Sequence, residues 1–305
     1  MGSLLTKVIK GNEYLYLVDS IRVKDRIIQK TIKYVGKKRP INKHEFDCML
    51  LSYKKEDWIL KDFQDLLSYQ EQHQMRQASQ KYQNYLRQLD QTSREKEKER
   101  FLSNFIANSN AIEGSTLTTK DTFNYLFNDL APAGKSKKEL HMASNLFDAW
   151  HYLEKNVKIF PTSKHILELH RLVNQGIESE QTLGRFKIVQ NYVGEIYTTS
   201  HLFVTERVKE LFSLIKKAYS EVDDFEVAFQ SHAQFEIIHP FVDGNGRVGR
   251  LLLNWLLMNK KLMPLAIPFG KRAEYIAALD NARKGKTEVI CKFCCEEYLE
   301  QYKFM

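Results

Sequence analysis

Four cysteines in 305 residues are too few for a disulfide scaffold, and such scarcity fits a reducing compartment. Three of them, Cys291, Cys294 and Cys295, crowd together near the C-terminus. No fourth ligand or second knuckle lies nearby, so the pattern does not read as a zinc site. Cys291 and Cys295 are four apart and share a helix face, which makes a core role the expectation. No run of 18 apolar residues occurs, which excludes a transmembrane helix. The opening residues Met1 to Lys7 lack the apolar stretch of a secretory signal and a good lipidation pattern. A cytoplasmic location with no membrane partner is expected, and delivery into another cell stays open. H-E-x-x-H is also missing, and His232 and His239 are seven apart, which argues against a zinc hydrolase.

What is present concentrates in twelve residues: His239-Pro240-Phe241-Val242-Asp243-Gly244-Asn245-Gly246-Arg247-Val248-Gly249-Arg250. Apolar segments flank them, Gln234–Ile238 as the end of one helix and Leu251–Met258 as the body of another. A polar loop that opens a helix offers free N–H groups and the positive end of a dipole, which suits phosphate. Gly244 and Gly246 let a ligand approach the backbone. Asn245 can donate to phosphate oxygens. Arg247 and Arg250, three apart, share a helix face and can clamp two phosphates. Asp243 is a hard oxygen ligand of the kind Mg²⁺ takes beside phosphates. His239 titrates near neutrality and can accept a proton from a hydroxyl nucleophile. Gly244, Gly246 and Gly249 also match G-x-G-x-x-G, but no strand precedes them and no acid follows in Ala266–Lys271. The dinucleotide reading is therefore rejected.

The stretch resembles the signature of Fic-domain proteins, His-Pro-Phe-x-Asp/Glu-Gly-Asn-Gly-Arg-x-x-Arg, at every fixed position. Upstream, Ser109-Asn110-Ala111-Ile112-Glu113-Gly114 resembles the Ser/Thr-x-x-x-Glu-Gly/Asn motif of Fic inhibitory helices. Ser109 and Glu113 share a face, and Gly114 stops the helix. The resemblance implies AMP transfer from ATP, with Mg²⁺, to a Ser, Thr or Tyr hydroxyl of a protein. It makes His239 the base, Asp243 the metal ligand, and Asn245 and Arg247 catalytic. Gly244, Asn245, Gly246, Arg247, Arg250 and Tyr275 become nucleotide contacts. Glu113 would occupy the γ-phosphate position beside Arg250 and could position water for AMP removal. Lys187, Ile188 and Val189 fall in the flap, the hairpin over the site. Members often have Arg where Lys187 stands, and Arg283 replaces an expected Asn. Relatives also transfer UMP, phosphocholine or phosphate, the last with a degenerate signature lacking the second arginine.

The expected fold is mainly α: a Fic-type bundle with a short β-hairpin flap, preceded by a small antiparallel β meander. Strands are read at Lys7–Lys10, Glu13–Ser20 and Arg26–Val35, with turns at Gly11-Asn12 and Lys24-Asp25. The meander resembles small modules ahead of some Fic domains and in some transposase-like proteins. The expected domains are 1–38, the meander; 39–100, a helical linker; and 101–305, the catalytic domain, with the inhibitory helix at about 101–114. Asn42 caps a helix reaching Tyr53. Trp58 to Tyr69 shows helical spacing. Residues 70–100 contain neither Pro nor Gly and read as a long exposed helix able to pack on a second copy. Gly184–Val189, Tyr192-Val193 and Ile196-Tyr197 read as the flap strands. His170 reads as a packing histidine. The net charge is +8; basic residues read as scattered and Lys37-Lys38-Arg39 as a solvated connector. Nucleic acid as a partner, self-modification and a homodimer stay open, as does a nucleic-acid-binding regulator with a vestigial site.

Overall fold

The computed structural model describes residues 2–23, 26–56, 60–189, 191–193, 196–201 and 203–303. The chain begins with an antiparallel sheet, β1 (Gly2–Ile9), β2 (Asn12–Val23) and β3 (Arg26–Lys37), in that spatial order. The β1–β2 turn falls at Lys10-Gly11, where both residues take positive φ. Lys24 and Asp25, the expected second turn, lie outside the described residues. All three strands run longer than their apolar stretches suggest.

Helix α1 (Lys43–Glu56) starts where expected, with Asn42 Oδ1 accepting the Glu45 N–H at 2.8 Å. The next expectation fails. Trp58 lies outside the described residues, and 60–68 contains no helix. Phe63 and Leu67 are buried, but the backbone around them bonds to another helix. Gln64 N–H donates to Gln230 Oε1 (3.3 Å), and Leu66 N–H (2.7 Å) and Leu67 N–H donate to Glu226 Oε1. Those distant acceptors replace the i−4 carbonyls that a helix would use. Ser68 and Glu71 then form a capping box that starts α2 (Tyr69–Gln88).

Residues 70–100 are not one exposed helix either. The chain breaks at Leu89, and Asp90 caps α3 (Gln91–Ile112). The thin stripe on α2 is a core face: Met75 and Tyr82 are buried, and Tyr82 packs on Tyr302 with ring centres 5.0 Å apart. After α4 (Thr119–Phe127), α5 (Lys137–Asn156) and α6 (Ser163–Asn174) comes the flap region. Among the described residues there, only β4 (Tyr192–Val193) and β5 (Ile196–Tyr197) pair; 184–189 forms no strand.

The bundle closes around α8 (Asp224–Ile238), whose residues 225–238 are all buried. Beside it run α7 (Val204–Ala218), α9 (Asn245–Asn259), α10 (Arg272–Arg283) and α11 (Glu288–Gln301). Phe225, Phe229 and Phe235 on α8 are fully enclosed, each worth about 1.5–3 kcal/mol of transfer free energy. Cys291, Cys294 and Cys295 are free thiols buried on α11, part of this core. A second small cluster, Leu17, Met49 and Phe203, seats the N-terminal sheet against the bundle.

Candidate active site

The signature bridges two antiparallel core helices. His239 ends α8 in the left-handed conformation (φ 49°, ψ 63°), an unusual geometry for a residue with a Cβ. Its N–H still caps Phe235 O at 2.9 Å. Phe241 is fully buried and stacks on His170 with ring centres 3.9 Å apart. His170 accepts the Gly184 N–H at Nδ1 (3.1 Å), which leaves Nε2 to donate to Asp243 O (3.2 Å). That packing histidine thus ties α6 to both the loop and the flap approach.

Gly244 opens α9 at φ 76°, with no side-chain cap. The N–H groups of the first turn are therefore available to an anion. Asn245 holds the loop instead of a ligand: Oδ1 accepts Phe241 N–H (2.8 Å) and Nδ2 donates to Phe241 O (3.0 Å). The side-chain phosphate donor expected at Asn245 is thus committed to backbone. Asn245→Ala would strand the buried Phe241 N–H, while Phe241 O keeps the Asn191 amide at 2.7 Å, and we expect it to destabilise the fold by about 1–3 kcal/mol in a urea titration.

The two arginines do not form one clamp. Arg247 turns to α6, donating to Val173 O (3.3 Å) and Asn174 Oδ1 (2.8 Å), while its buried Nε has no partner among the described residues. Arg250 turns to α3. It donates to Ser109 Oγ (2.9 Å), Ser109 O (2.9 Å) and Glu113 Oε1 (2.7 Å). Each side chain follows the helix packed against its own part of α9. Burial opposes the Arg250 charge, but Tyr275 and Glu113 outweigh it and leave its pKa raised.

Glu113 sits at the C-terminus of α3, and Gly114 takes φ 98° just beyond it. A Cβ on Gly246 would collide with Glu113 Oε1, so this carboxylate rests on the first turn of α9. The remaining cavity is about 130 Å³, below the roughly 300–1,000 Å³ of ordinary ligand pockets. Ile276, Leu279 and Val193 supply its apolar wall. Tyr275 is buried, bonded to His232 Nε2 at 2.7 Å and near Arg250 Nη1 at 3.5 Å. Its hydroxyl thus positions those groups, and its side chain lines the cavity.

Asp243 is the exposed member. Its Oδ1 accepts Gly244 N–H at 2.7 Å, and Oδ2 lies 3.6 Å from Arg247 Nη2. Among the described residues no cluster of three or more acidic, His or Cys side chains could hold a metal by itself. In the flap, Lys187 is buried; its N–H donates to Pro240 O (2.9 Å) and Nζ donates to Asn191 Oδ1 and Thr198 Oγ1, both at 2.6 Å. Burial lowers its pKa to about 7. Ile188 and Val189 are exposed.

Sequence reading missed Glu236. It is buried one turn before His239, with Oε2 3.9 Å from His239 Nδ1. Burial raises its pKa to about 7. Burial, then Lys187 and Arg283, lower that of His239 to about 3. The i, i+3 spacing was the only signal available. An acid raised from the usual carboxylate range protonates more readily folded than unfolded, so its contribution is lost as pH rises from about 4.5 to about 7. Glu236→Gln should therefore gain stability relative to the parent over that window, by at most about 3 kcal/mol. Urea titrations at both ends of the window measure it; a pH-independent difference would contradict the buried-acid assignment.

Residues 160–257 match the family model described as the Fic/DOC family. A protein adenylyltransferase, fic-1, of Caenorhabditis elegans is 32% identical over 189 residues, covering 59% of this chain and 36% of that protein. The chain thus spans about a third of this relative's length. A Fic-domain-containing signalling protein of Bacteroides thetaiotaomicron superposes with TM-score 0.67 at 21% identity, covering 75% of this chain and 95% of that one. IbpAFic2, solved in complex with adenylylated Cdc42, aligns with TM-score 0.52 at 16% identity over 84% of this chain and 79% of its own. No helix among the described residues is long and apolar enough to cross a membrane. The helix-bracketed signature loop thus lies inside residues 160–257, the stretch that matches the Fic/DOC family model, and its last arginine is capped by Glu113 from outside that stretch.

Proposed function

We propose that this chain transfers AMP from ATP to a Ser, Thr or Tyr hydroxyl of a protein, and that Glu113 holds the enzyme off. The observation that carries the reading is the Glu113–Arg250 pair seated on the first turn of α9. A carboxylate rests there on a helix N-terminus and a buried guanidinium, the two features that would otherwise hold a terminal phosphate. Relatives with matching sequence are protein adenylyltransferases, and a structural neighbour was solved with its adenylylated protein partner.

The residues fit the reaction. Ile276, Leu279 and Val193 offer an apolar bed for the base. The α9 N–H groups and the Arg247 Nε, which has no partner among the described residues, would face the phosphates. Mg²⁺ fits the half-exposed Asp243 carboxylate, since Mg²⁺ usually takes one or two carboxylates plus substrate phosphates. Bound there, it would neutralise phosphate charge. His239 faces Glu236 with Nδ1, which leaves Nε2 to take the proton of the target hydroxyl. The freed oxygen attacks the α-phosphorus, and pyrophosphate leaves.

Arg250 holds the γ-phosphate only after Glu113 withdraws. The same carboxylate could align water for AMP removal. The exposed Ile188 and Val189 beside the flap suit an extended target segment. Mass spectrometry of Glu113→Gly, incubated with ATP and Mg²⁺, tests the reading. An added AMP mass on a Ser, Thr or Tyr, on this chain or a target, is expected. A different added group, or none, would refute it.

A further inference from the structure

The first 39 residues hold ten Lys/Arg and three Asp/Glu, so they carry +7 of the chain's +8. The basic residues are therefore concentrated, not scattered as a residue-by-residue reading suggests. Helical segments elsewhere balance their cations with acids, as in Arg94–Arg100.

The sheet built from these residues has two unlike faces. Leu17 packs against Met49 and Phe203, with Leu4, Ile32 and Val35 around them. Lys33 sits on the bundle too, 3.0 Å from Glu206 and 3.8 Å above the Phe203 ring. The opposite face carries aromatics and lysines in cross-strand rows. One row pairs Lys7, Tyr14 and Lys37; the next pairs Leu5, Tyr16 and Tyr34. Tyr34 lies 5.8 Å from Tyr14 and 5.3 Å from Tyr16, and Lys7 Nζ sits 4.7 Å above the Tyr16 ring. Tyr34 is 50% exposed, and Lys7, Lys10 and Lys37 are exposed.

We propose that this outer sheet face binds single-stranded nucleic acid, with Tyr34, Tyr14 and Tyr16 as a stacking platform and Lys7, Lys10 and Lys37 as phosphate contacts. One exposed and two partly buried rings interleaved with cations on a sheet match both halves of a nucleotide, its flat base and its charged backbone. Cross-strand packing alone would explain the tyrosine pairs, but not the gathering of nearly all net positive charge onto the same module. An anionic membrane is the weaker fit, because among the described side chains of the sheet the exposed aliphatic residues Val8 and Ile9 stand at the β1–β2 hairpin end. The proposal does not depend on the nucleotidyl-transfer reading, since the sheet face is separate from the signature loop.

The test is fluorescence anisotropy on the full chain with labelled oligo-dT and oligo-U of about 20 nucleotides, long enough for one site. Three phosphate contacts should weaken binding roughly 10–20-fold between about 50 and 200 mM salt. Lys7→Ala with Lys37→Ala should flatten that dependence. Tyr34→Ala should weaken binding about 5–100-fold with the salt dependence unchanged, and Tyr34→Phe should restore it. Preference for oligo-dT or oligo-U tells DNA from RNA. No binding at the lower salt, indifference to these substitutions in variants that melt like the parent, equal affinity for duplex, or full competition by anionic vesicles would each overturn the proposal.

Discussion

In the Glu113→Gly background, His239→Ala is expected to lower the proposed AMP transfer by about 10²–10⁴-fold, the usual span for loss of a positioned general base. The geometry supports a loss of this size. His239 is fixed by its left-handed backbone at the end of α8 and by Pro240 O, which accepts from Lys187 in the flap. No second imidazole can substitute. His170 is bound on both nitrogens, to Gly184 and Asp243, and His232 is sealed against Tyr275. ATP affinity should change little, because His239 contributes no phosphate contact. Labelling with α-phosphate-radiolabelled ATP reads the transfer, and calorimetry reads the affinity. Transfer that survives in the alanine variant would remove His239 from the role of base.

Glu113→Gly by itself should raise the proposed AMP transfer, by roughly 10–100-fold. The variant frees Arg250 for the γ-phosphate, and a charged hydrogen bond of that kind is worth about 1.5–3 kcal/mol, with 1.4 kcal/mol for each factor of ten. The same change has a cost. Arg250 keeps Ser109 and Tyr275 but loses its one anionic partner in a buried site. Arg250 is buried but Glu113 is partly exposed, so the loss should fall between about 1 kcal/mol for an exposed pair and the roughly 3–5 kcal/mol of a fully buried one. The variant should therefore melt below the parent without nucleotide and regain most of the difference with ATP. The parent, whose site Glu113 already fills, should respond less to ATP. Equal labelling by the parent and both variants would sink the assignment. A rise in labelling without the nucleotide-dependent melting shift would sink the Arg250 explanation alone.

Much of the site was legible in linear order because its chemistry is local. His239, Asp243, Gly244 and the first turn of α9 lie within a few residues, and their roles follow from helix ends and residue types. The Ser109–Glu113 spacing marked one face of one helix, and that face is the one that meets Arg250. Contacts across the fold were not legible. That Asn245 bonds Phe241 through both ends of its amide had no mark in the sequence. Nor did the bonds of the Tyr275 hydroxyl to His232 and Arg250. Glu236 showed nothing until α8 was seen to be buried.

Sequence by itself determined the helical class, the N-terminal meander, the loop that opens a helix and the carboxylate that meets its last arginine. Periodicity, capping residues and motif spacing act over one or two turns, so they can be read in order. Tertiary structure decided which partner each polar group met. It kept residues 60–68 out of a helix, because Glu226 and Gln230 from α8 took their N–H groups. It sent Arg247 and Arg250 to different helices, although three residues separate them. Those outcomes depend on partners 70 to 170 positions away in the chain, and only packing brings such partners within hydrogen-bond reach.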